Sequence, residues 1–302
     1  MKFATVVVTF NRKNELVHNI QSVLSQTRIP DMMYIIDNHG SDDTKGCLEE
    51  KGFLELDNLN YIYLDENVGG AGGFHVGTKL ANKAGYDYIC LMDDDGYPFD
   101  KNTFENIIKF AEKLHDQNEK LLLNSLVFGK DDIMSFRLPG GIKTKKDALA
   151  QAKDNMIADH INPFNGTFIS KELVAAIGYP NKDFFIKGDE EDFTWRARNA
   201  GAFIATITNS YYFHPILEKK HMKILGKVRR ISTEAPWKEY YRVRNYTYMF
   251  KRSKEYKKML RQPLRQIAWA VIAGQQKNLA IKLIIRGFLD GFFGKLGNTV
   301  KP

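Results

Sequence analysis

The chain opens on an unbroken apolar run, Phe3 to Val8, rich in β-branched residues, and then changes period. Leu16, Ile20, Val23 and Leu24 recur at helical spacing until Pro30 interrupts them, and a second apolar run follows from Met32 to Ile36. Short continuous apolar runs specify buried strands and a 3.6-residue period specifies an amphipathic helix, so this stretch predicts strand, helix, strand. The alternation continues with a strand at Tyr61 to Leu64, a helix after Gly73, a strand at Tyr88 to Met92, a helix from Thr103 to Leu114 and a strand at Phe203 to Ile207. Such alternation predicts a parallel α/β sheet. Beyond residue 215 the pattern changes. Glu234 to Arg252 and Pro263 to Phe293 read as helices rich in Lys, Arg and aromatics, with no strand alternation. The expected division is a body over 1–215 and a helical region over 216–302, without internal repeats.

Polar residues collect where the apolar runs stop. Thr9 to Asn11 follows the first strand, Asp37-Asn38 the second, Asp65-Glu66-Asn67 the third and Asp93-Asp94-Asp95 the fourth. In parallel α/β sheets ligands bind beyond the carboxyl ends of strands. Three consecutive carboxylates repel one another and stay ionised cheaply when a cation joins them; the alternative is a solvated acidic loop. Oxygen ligands favour Mg²⁺ or Mn²⁺, with a diphosphate completing the shell. Asn67-Val68-Gly69-Gly70-Ala71-Gly72-Gly73-Phe74 places four glycines before a helix, where backbone can approach a phosphate closely. Asp189-Glu190-Glu191-Asp192 exceeds what the macrodipole of a helix start requires, and one of these acids can take a proton from an alcohol. His214, after Tyr211-Tyr212-Phe213, is compatible with Mn²⁺ if it meets the acids, and otherwise is a packed histidine.

Composition narrows the class. The 302 residues are 43% hydrophobic and 12% aromatic, with nine prolines, which excludes a disordered, collagen-like or low-complexity chain. Two cysteines, Cys47 and Cys90, exclude a disulfide framework and a four-cysteine zinc site. The longest strictly apolar runs, such as Ala268 to Ala273, are far too short to span a bilayer, and the N-terminal run is too short for a signal peptide, so a cytoplasmic protein is expected. Charge is divided unevenly. Residues 216–302 hold 21 Lys+Arg against 5 Asp+Glu, a net +16, whereas 1–215 is net −8. A basic tail on an acidic body implies a polyanionic partner. An amphipathic helix on an anionic membrane surface fits Leu264, Ile267, Val271, Leu279, Leu283, Ile284, Phe288 and Phe292 interleaved with Arg265, Lys277, Lys282 and Arg286. No nucleic-acid motif accompanies the charge, so nucleic acid is not the expected partner.

Together these residues resemble a family 2 glycosyltransferase of the GT-A fold. That resemblance implies an α/β, Rossmann-like nucleotide-diphospho-sugar transferase, with a mixed sheet, helices on both faces and a C-terminal helical extension. Val6-Val7-Val8-Thr9-Phe10-Asn11-Arg12 resembles the family's first strand and nucleotide loop, and Ile35-Ile36-Asp37-Asn38 its second, where Asp37 would contact uracil or ribose. It assigns Thr9, Asn11, Arg12, Asp37, Asn67, Gly69, Gly70, Gly73 and Asp94 to the nucleotide-sugar donor. Asp93 and Asp95 match the ligands of the DxD motif for Mn²⁺ or Mg²⁺, and His214 falls where some members place a metal-binding histidine. Glu190 is the best match to the catalytic base, with Asp189 and Asp192 as rivals, because the family usually carries Asp where Glu190 stands. The glycine-rich segment combined with Met92-Asp93-Asp94-Asp95 is similar to galactofuranosyltransferases, which use UDP-galactofuranose; a dTDP-rhamnose-dependent rhamnosyltransferase is the alternative. Asn165 and Gly166 would then help line the acceptor side, and Trp237, Arg242, Arg244 and Asn245, with Tyr240 and Tyr241, resemble a tail motif facing the acceptor or the diphosphate. The implied activity is inverting transfer to a hydroxyl of a lipid-linked glycan in cell-surface polysaccharide synthesis, on the inner face of the membrane. The non-enzyme alternative is a sugar-nucleotide-binding or nucleic-acid-binding protein.

Overall fold

The computed structural model describes residues 1–115, 119–162, 164–216, 221–224, 227–230, 234–273 and 276–301. Eleven strands occur among them: β1 (Phe3–Thr9), β2 (Met32–Asp37), β3 (Leu59–Tyr63), β4 (Tyr88–Asp93), β5 (Tyr97–Pro98), β6 (Leu121–Phe128), β7 (Met156–Ala158), β8 (Thr167–Ser170), β9 (Phe203–Phe213), β10 (His221–Ile224) and β11 (Lys227–Arg230). The helices are α1 (Lys13–Leu24), α2 (Thr44–Glu50), α3 (Gly69–Lys83), α4 (Thr103–His115), α5 (Lys145–Gln151), α6 (Lys171–Ile177), α7 (Asp189–Asn199), α8 (Pro236–Arg252), α9 (Tyr256–Ala273) and α10 (Lys277–Phe293).

The chain divides into two compact units, one of Met1–Asn67, Gly73–Pro180 and Phe193–Ile216, the other of Val68–Gly72, Asn181–Asp192 and Leu217–Pro302. In the first, the strands run β3-β2-β1-β4-β8-β6-β9-β5, with β7 also on β9. β1, β2, β3 and β4 are parallel, as the alternation predicts. The all-parallel expectation fails at β8, which enters antiparallel between β4 and β6. β8 is only four residues long and half polar, so it carries no readable period; the mixed sheet implied by the family resemblance is the one observed.

Every residue of β1 is buried, because alternate side chains feed two cores. Phe3 and Val7 join Leu16, Ile20 and Val23 of α1 and Phe104 and Ile107 of α4 on one face. Ala4, Val6 and Val8 join Phe74 of α3, Leu173 of α6 and Phe193 of α7 on the other. α3 lies close on β1, since a Cβ at Gly73 would come to 2.6 Å from Val8 and one at Gly77 to 2.2 Å from Val6.

In the second unit α8 and α10 approach through Gly287 and Gly291, where a Cβ would lie 2.6 Å from the Tyr240 carbonyl oxygen and 2.2 Å from that of Arg244. Two expectations for this region are corrected. β10 and β11 pair antiparallel, so the region is not wholly helical. The helix read from Pro263 to Phe293 is instead α9 and α10, with 274–275 outside the described residues, and α9 begins at Tyr256 and runs through Pro263. None of the described helices is long and apolar enough to cross a membrane.

Candidate active site

Strand register gathers the acids. Thr9 of β1 pairs with Asp37 of β2, and Val8 with Asp93 of β4, so the polar residues that end three adjacent parallel strands share one edge of the sheet. Just beyond, one ligand atom each from Asp93, Asp95 and His214 lie within 4.8 Å of one another. His214 Nε2 is 3.4 Å from an Asp95 carboxylate oxygen. Its other ring nitrogen, Nδ1, is 2.8 Å from the Pro215 carbonyl oxygen, which can only accept. Nδ1 therefore carries the proton and Nε2 offers its lone pair to the acids, the tautomer a metal requires. Burial lowers the imidazole pKa, which keeps it neutral. Two hard carboxylates and one neutral imidazole fit Mn²⁺ or Mg²⁺.

Asp94 points elsewhere. It accepts from the Thr9 hydroxyl at 2.9 Å, and burial raises its carboxyl to about 6 even though Arg12 opposes the shift. Arg12 Nη1 donates to Asp94 at 3.2 Å and to Asp95 at 2.5 Å, so its guanidinium supplies the counter-charge of the cluster.

The nucleotide-side residues form a second network. Asp37 accepts from the Gly40 amide at 2.8 Å and from the Tyr61 hydroxyl at 2.6 Å, and burial together with that contact raises the Tyr61 pKa. Asn11 takes a left-handed φ of 55° and accepts from the Ser41 amide, while Asn67 accepts from Asn38. The sequence does not single out Tyr61 as a site residue. Its place follows only from the β2–β3 register, which pairs Asp37 with Tyr63 and leaves Tyr61 two residues back on the same face.

The glycine-rich segment, of which Val68–Gly72 belong to the second unit, does not precede a helix; its glycines form the start of α3, which begins at Gly69. Gly69 has φ 73°, and a Cβ there would lie 2.1 Å from the Phe185 carbonyl oxygen; one on Gly72 would meet Val68 at 2.6 Å. Gly70 is different, for among the described residues nothing lies within 4 Å of its Cβ position.

The acids 189–192 form the first turn of α7. Asp189 is buried, and that burial, reinforced by Glu191 and Asp192 against Lys187, pushes its carboxyl up to about 7. Glu190 is half-buried. Glu191 accepts from the Tyr246 hydroxyl, and buried Asp192 lies 3.7 Å from Arg252.

Of the residues expected at the acceptor, Trp237 is half-buried against Tyr241, and Arg242 bonds Glu234, which also pairs with Lys187. Arg244 and Asn245 lie inside the helical unit. Both are 0% exposed; Asn245 Nδ2 and Arg244 Nη2 meet backbone carbonyls of the segment before α7, while Arg244 Nε donates to Asn245 Oδ1 and Nη1 to the Gly297 carbonyl. Asn165 is likewise buried, in the first unit, where its carbonyl accepts from Asn124, and Gly166 abuts the Tyr212 ring. Polar residue types in an aromatic-rich stretch do not reveal that their partners are backbone atoms.

Residues 5–119 match the model of the family described as Glycosyl transferase family 2. That segment is thus a glycosyltransferase family 2 domain, and the mixed sheet with its helices has the GT-A fold; similarity to glycosyltransferases over most of the chain supports a hexosyltransferase. It is 28% identical over 270 residues to Galactofuranosyltransferase GlfT1 of Mycobacterium tuberculosis, covering 87% of this chain and 86% of that one. It is 23% identical over 307 residues to dTDP-rhamnosyl transferase RfbF of Shigella flexneri, covering 97% and 96%. Among solved structures, GalNAc-T7 with UDP, GalNAc and Mn²⁺ superposes with a TM-score of 0.63 at 14% identity, over 95% of this chain and 55% of that one. TarS 1-349 of S. aureus in complex with UDP-GlcNAc gives 0.54 at 17%, over 97% and 73%.

Proposed function

We propose that this enzyme transfers galactofuranose from UDP-galactofuranose to a hydroxyl of a lipid-linked glycan, with inversion, while attached peripherally to the cytoplasmic face of an anionic membrane. The observation that carries the metal-dependent chemistry is the Asp93, Asp95, His214 cluster, with its ligand atoms within 4.8 Å and Nε2 unprotonated. Similarity to galactofuranosyltransferases over most of the chain supports the donor. Asp93, Asp95 and His214 would hold Mn²⁺ or Mg²⁺, which when bound supplies positive charge for the departing diphosphate. Glu190 takes the proton of the acceptor hydroxyl. The freed oxygen pair bonds to the anomeric carbon from the face opposite the nucleotide as the carbon–oxygen bond to UDP breaks, so UDP leaves with that electron pair and the configuration inverts. Thr9, Asn11, Arg12, Asp37 and Asn67 serve the nucleotide. Trp237 and Arg242 remain available to the acceptor.

A screen of purified protein with Mn²⁺ against UDP-galactofuranose, dTDP-rhamnose and UDP-GlcNAc, reading nucleotide release, tests the donor. Preferential release from UDP-galactofuranose is expected. Preference for dTDP-rhamnose would move the activity to the second reading, which the similarity to RfbF favours. No release from any of the three would favour a binding protein instead.

A further inference from the structure

The segment before α7 is held in an unusual shape. Phe185 has φ 64° and ψ −67° and sits at the centre of a γ-turn closed by the Ile186 amide on the Phe184 carbonyl at 2.7 Å. This is the rare, strained form of that turn. Lys187 and Gly188 follow at φ 65° and 89°. Two non-glycine residues at positive φ within three positions persist only where their surroundings over-determine them, and such strain clusters at functional sites.

What over-determines them is a buried pair on α8. Asn245 Nδ2 lies 2.9 Å from the Phe184 carbonyl oxygen, 2.9 Å from that of Ile186 and 2.7 Å from that of Lys187. Arg244 Nε donates to Asn245 Oδ1 at 2.8 Å, which fixes the amide so that its NH₂ faces the turn. Arg244 Nη2 donates to the carbonyls of Asp183 and Phe184, each at 3.0 Å, and Nη1 to that of Gly297 at 2.5 Å. The Gly297 amide returns to the Asp183 carbonyl at 2.7 Å, which closes a ring through the C-terminal segment. The guanidinium is flanked by the rings of Tyr240 and Tyr241, 5.7 and 4.7 Å away. A fully buried arginine is expensive, and here its Nη donors go to backbone oxygens of one turn and of Gly297 beside it, and its Nε to Asn245. On its far side the turn offers the Phe185 carbonyl to the Ala71 amide at 3.0 Å, in the glycine-rich first turn of α3.

We propose that Arg244 and Asn245 are positioning residues for the reaction: by tying down the turn Phe184–Gly188 they fix where α7 begins, and so where Asp189 and Glu190 stand. This rests on the reading that an acid of that first helical turn is the base. Neither side chain reaches out to substrate; each acts through backbone.

The test uses the full chain with Asn245→Ala and, as the milder change, Arg244→Lys. UDP release from UDP-galactofuranose is measured with Mn²⁺, with competent sites counted by UDP titration, alongside amide hydrogen exchange of peptides spanning 183–192 and 236–252. Per competent site, kcat should fall about 10²-fold in Asn245→Ala and by less in Arg244→Lys, with KM within about threefold, the pattern of a displaced catalytic group. Exchange should quicken across 183–192 while α8 stays protected. Wild-type kcat per site in folded Asn245→Ala overturns the proposal, as does exchange that quickens equally in both peptides. If neither variant folds, the wild-type protein still decides: protection of 183–192 equal to that of α8 supports the proposal, and exchange at the rate of an exposed loop overturns it. Glu190→Gln and Asp189→Asn separate the two readings. If both, and Asp192→Asn and Glu191→Gln as well, turn over normally, the base reading fails and the catalytic part of this proposal falls with it; if Glu190→Gln is inactive while Asn245→Ala is normal, the positioning role alone is lost.

Discussion

At Asp189 burial works against charge. Its carboxyl is raised from 3.8 to about 7, so between those values the folded protein binds a proton that the unfolded chain has released. Stability therefore falls as pH rises through that window, and ionised Asp189 is a net cost above it. Asp189→Asn should be more stable than wild type at pH 8, by no more than about 4 kcal/mol at about 1.4 kcal/mol per pKa unit, with the difference vanishing near pH 4. Urea melts at the two pH values check this, and a difference independent of pH would exclude titration of Asp189 as the cause. Glu190→Gln keeps shape and hydrogen bonding but cannot accept a proton, so turnover should drop about 10²-fold or more with UDP binding retained. The same loss in Asp192→Asn, with Glu190→Gln active, would move the base to Asp192. Asp93→Ala and Asp95→Ala should each abolish Mn²⁺ binding, read by electron paramagnetic resonance, without unfolding the protein. Asp93, Asp95 and His214 could be named from the sequence because acids at strand ends and a histidine after a strand are visible as residue types. Arg244 and Asn245 could be named but not understood, since what they bind has no side chain.

At the scale of elements, glycine separates packing from ligand approach. Gly69, Gly72 and Gly73 in α3, like Gly287 and Gly291 in α10, each lie where a Cβ would strike protein atoms. Gly287→Ala or Gly291→Ala should destabilise by about 1–3 kcal/mol, because the obstructing atoms are helix backbone that cannot swing aside. Thermal unfolding measures it, and an unchanged melting temperature would contradict the close approach of α8 and α10. Gly70 has open space around its Cβ position, so no contact among the described residues explains it. If a donor diphosphate approaches the start of α3, Gly70→Ala should weaken UDP binding measured by calorimetry while leaving the melting temperature near wild type. Unchanged UDP affinity would make that glycine incidental. The sequence displayed β1, β2 and β4 clearly because burial on both faces leaves long apolar runs. It concealed β8, too short and polar to show a period, and the passage of α9 through Pro263. It also concealed the glycine turn, whose composition suggests flexibility while its atoms are packed.

At the scale of the molecule, the +16 charge of residues 216–302 meets a set of exposed apolar side chains. The sequence pattern places Ile267, Leu283, Ile284 and Phe288 on the outward apolar face, but Leu283 and Ile284 are buried in the helical unit and Ile267 and Phe288 are half-buried against it. Those that remain outside are Leu260, Leu264, Val271 and Ile272 on α9 and Leu279, Ile285, Leu289, Phe292 and Phe293 on α10, with Leu264 at 66% and Phe293 at 68% exposure. Lys257, Lys258, Arg261, Arg265, Lys282 and Arg286 alternate with them in sequence. Removing α10 would be a poor test, because its glycines seat α8 and the segment after it bonds Tyr240, Tyr241 and Arg244. Point changes avoid that loss. On vesicles containing phosphatidylserine, each Lys or Arg near the surface contributes about 1 kcal/mol, less as salt rises. Inserted apolar area adds about 25 cal/mol per Å², which salt does not screen. Cosedimentation of the full chain should therefore weaken between low and physiological salt without disappearing, and Leu264→Glu with Phe293→Glu should reduce the salt-resistant part while nucleotide release in solution is unaffected. No binding at low salt would defeat the membrane reading. Tighter binding to RNA or DNA than to vesicles would instead assign the basic residues to a phosphate polymer, with a steep salt slope and no contribution from Leu264 or Phe293.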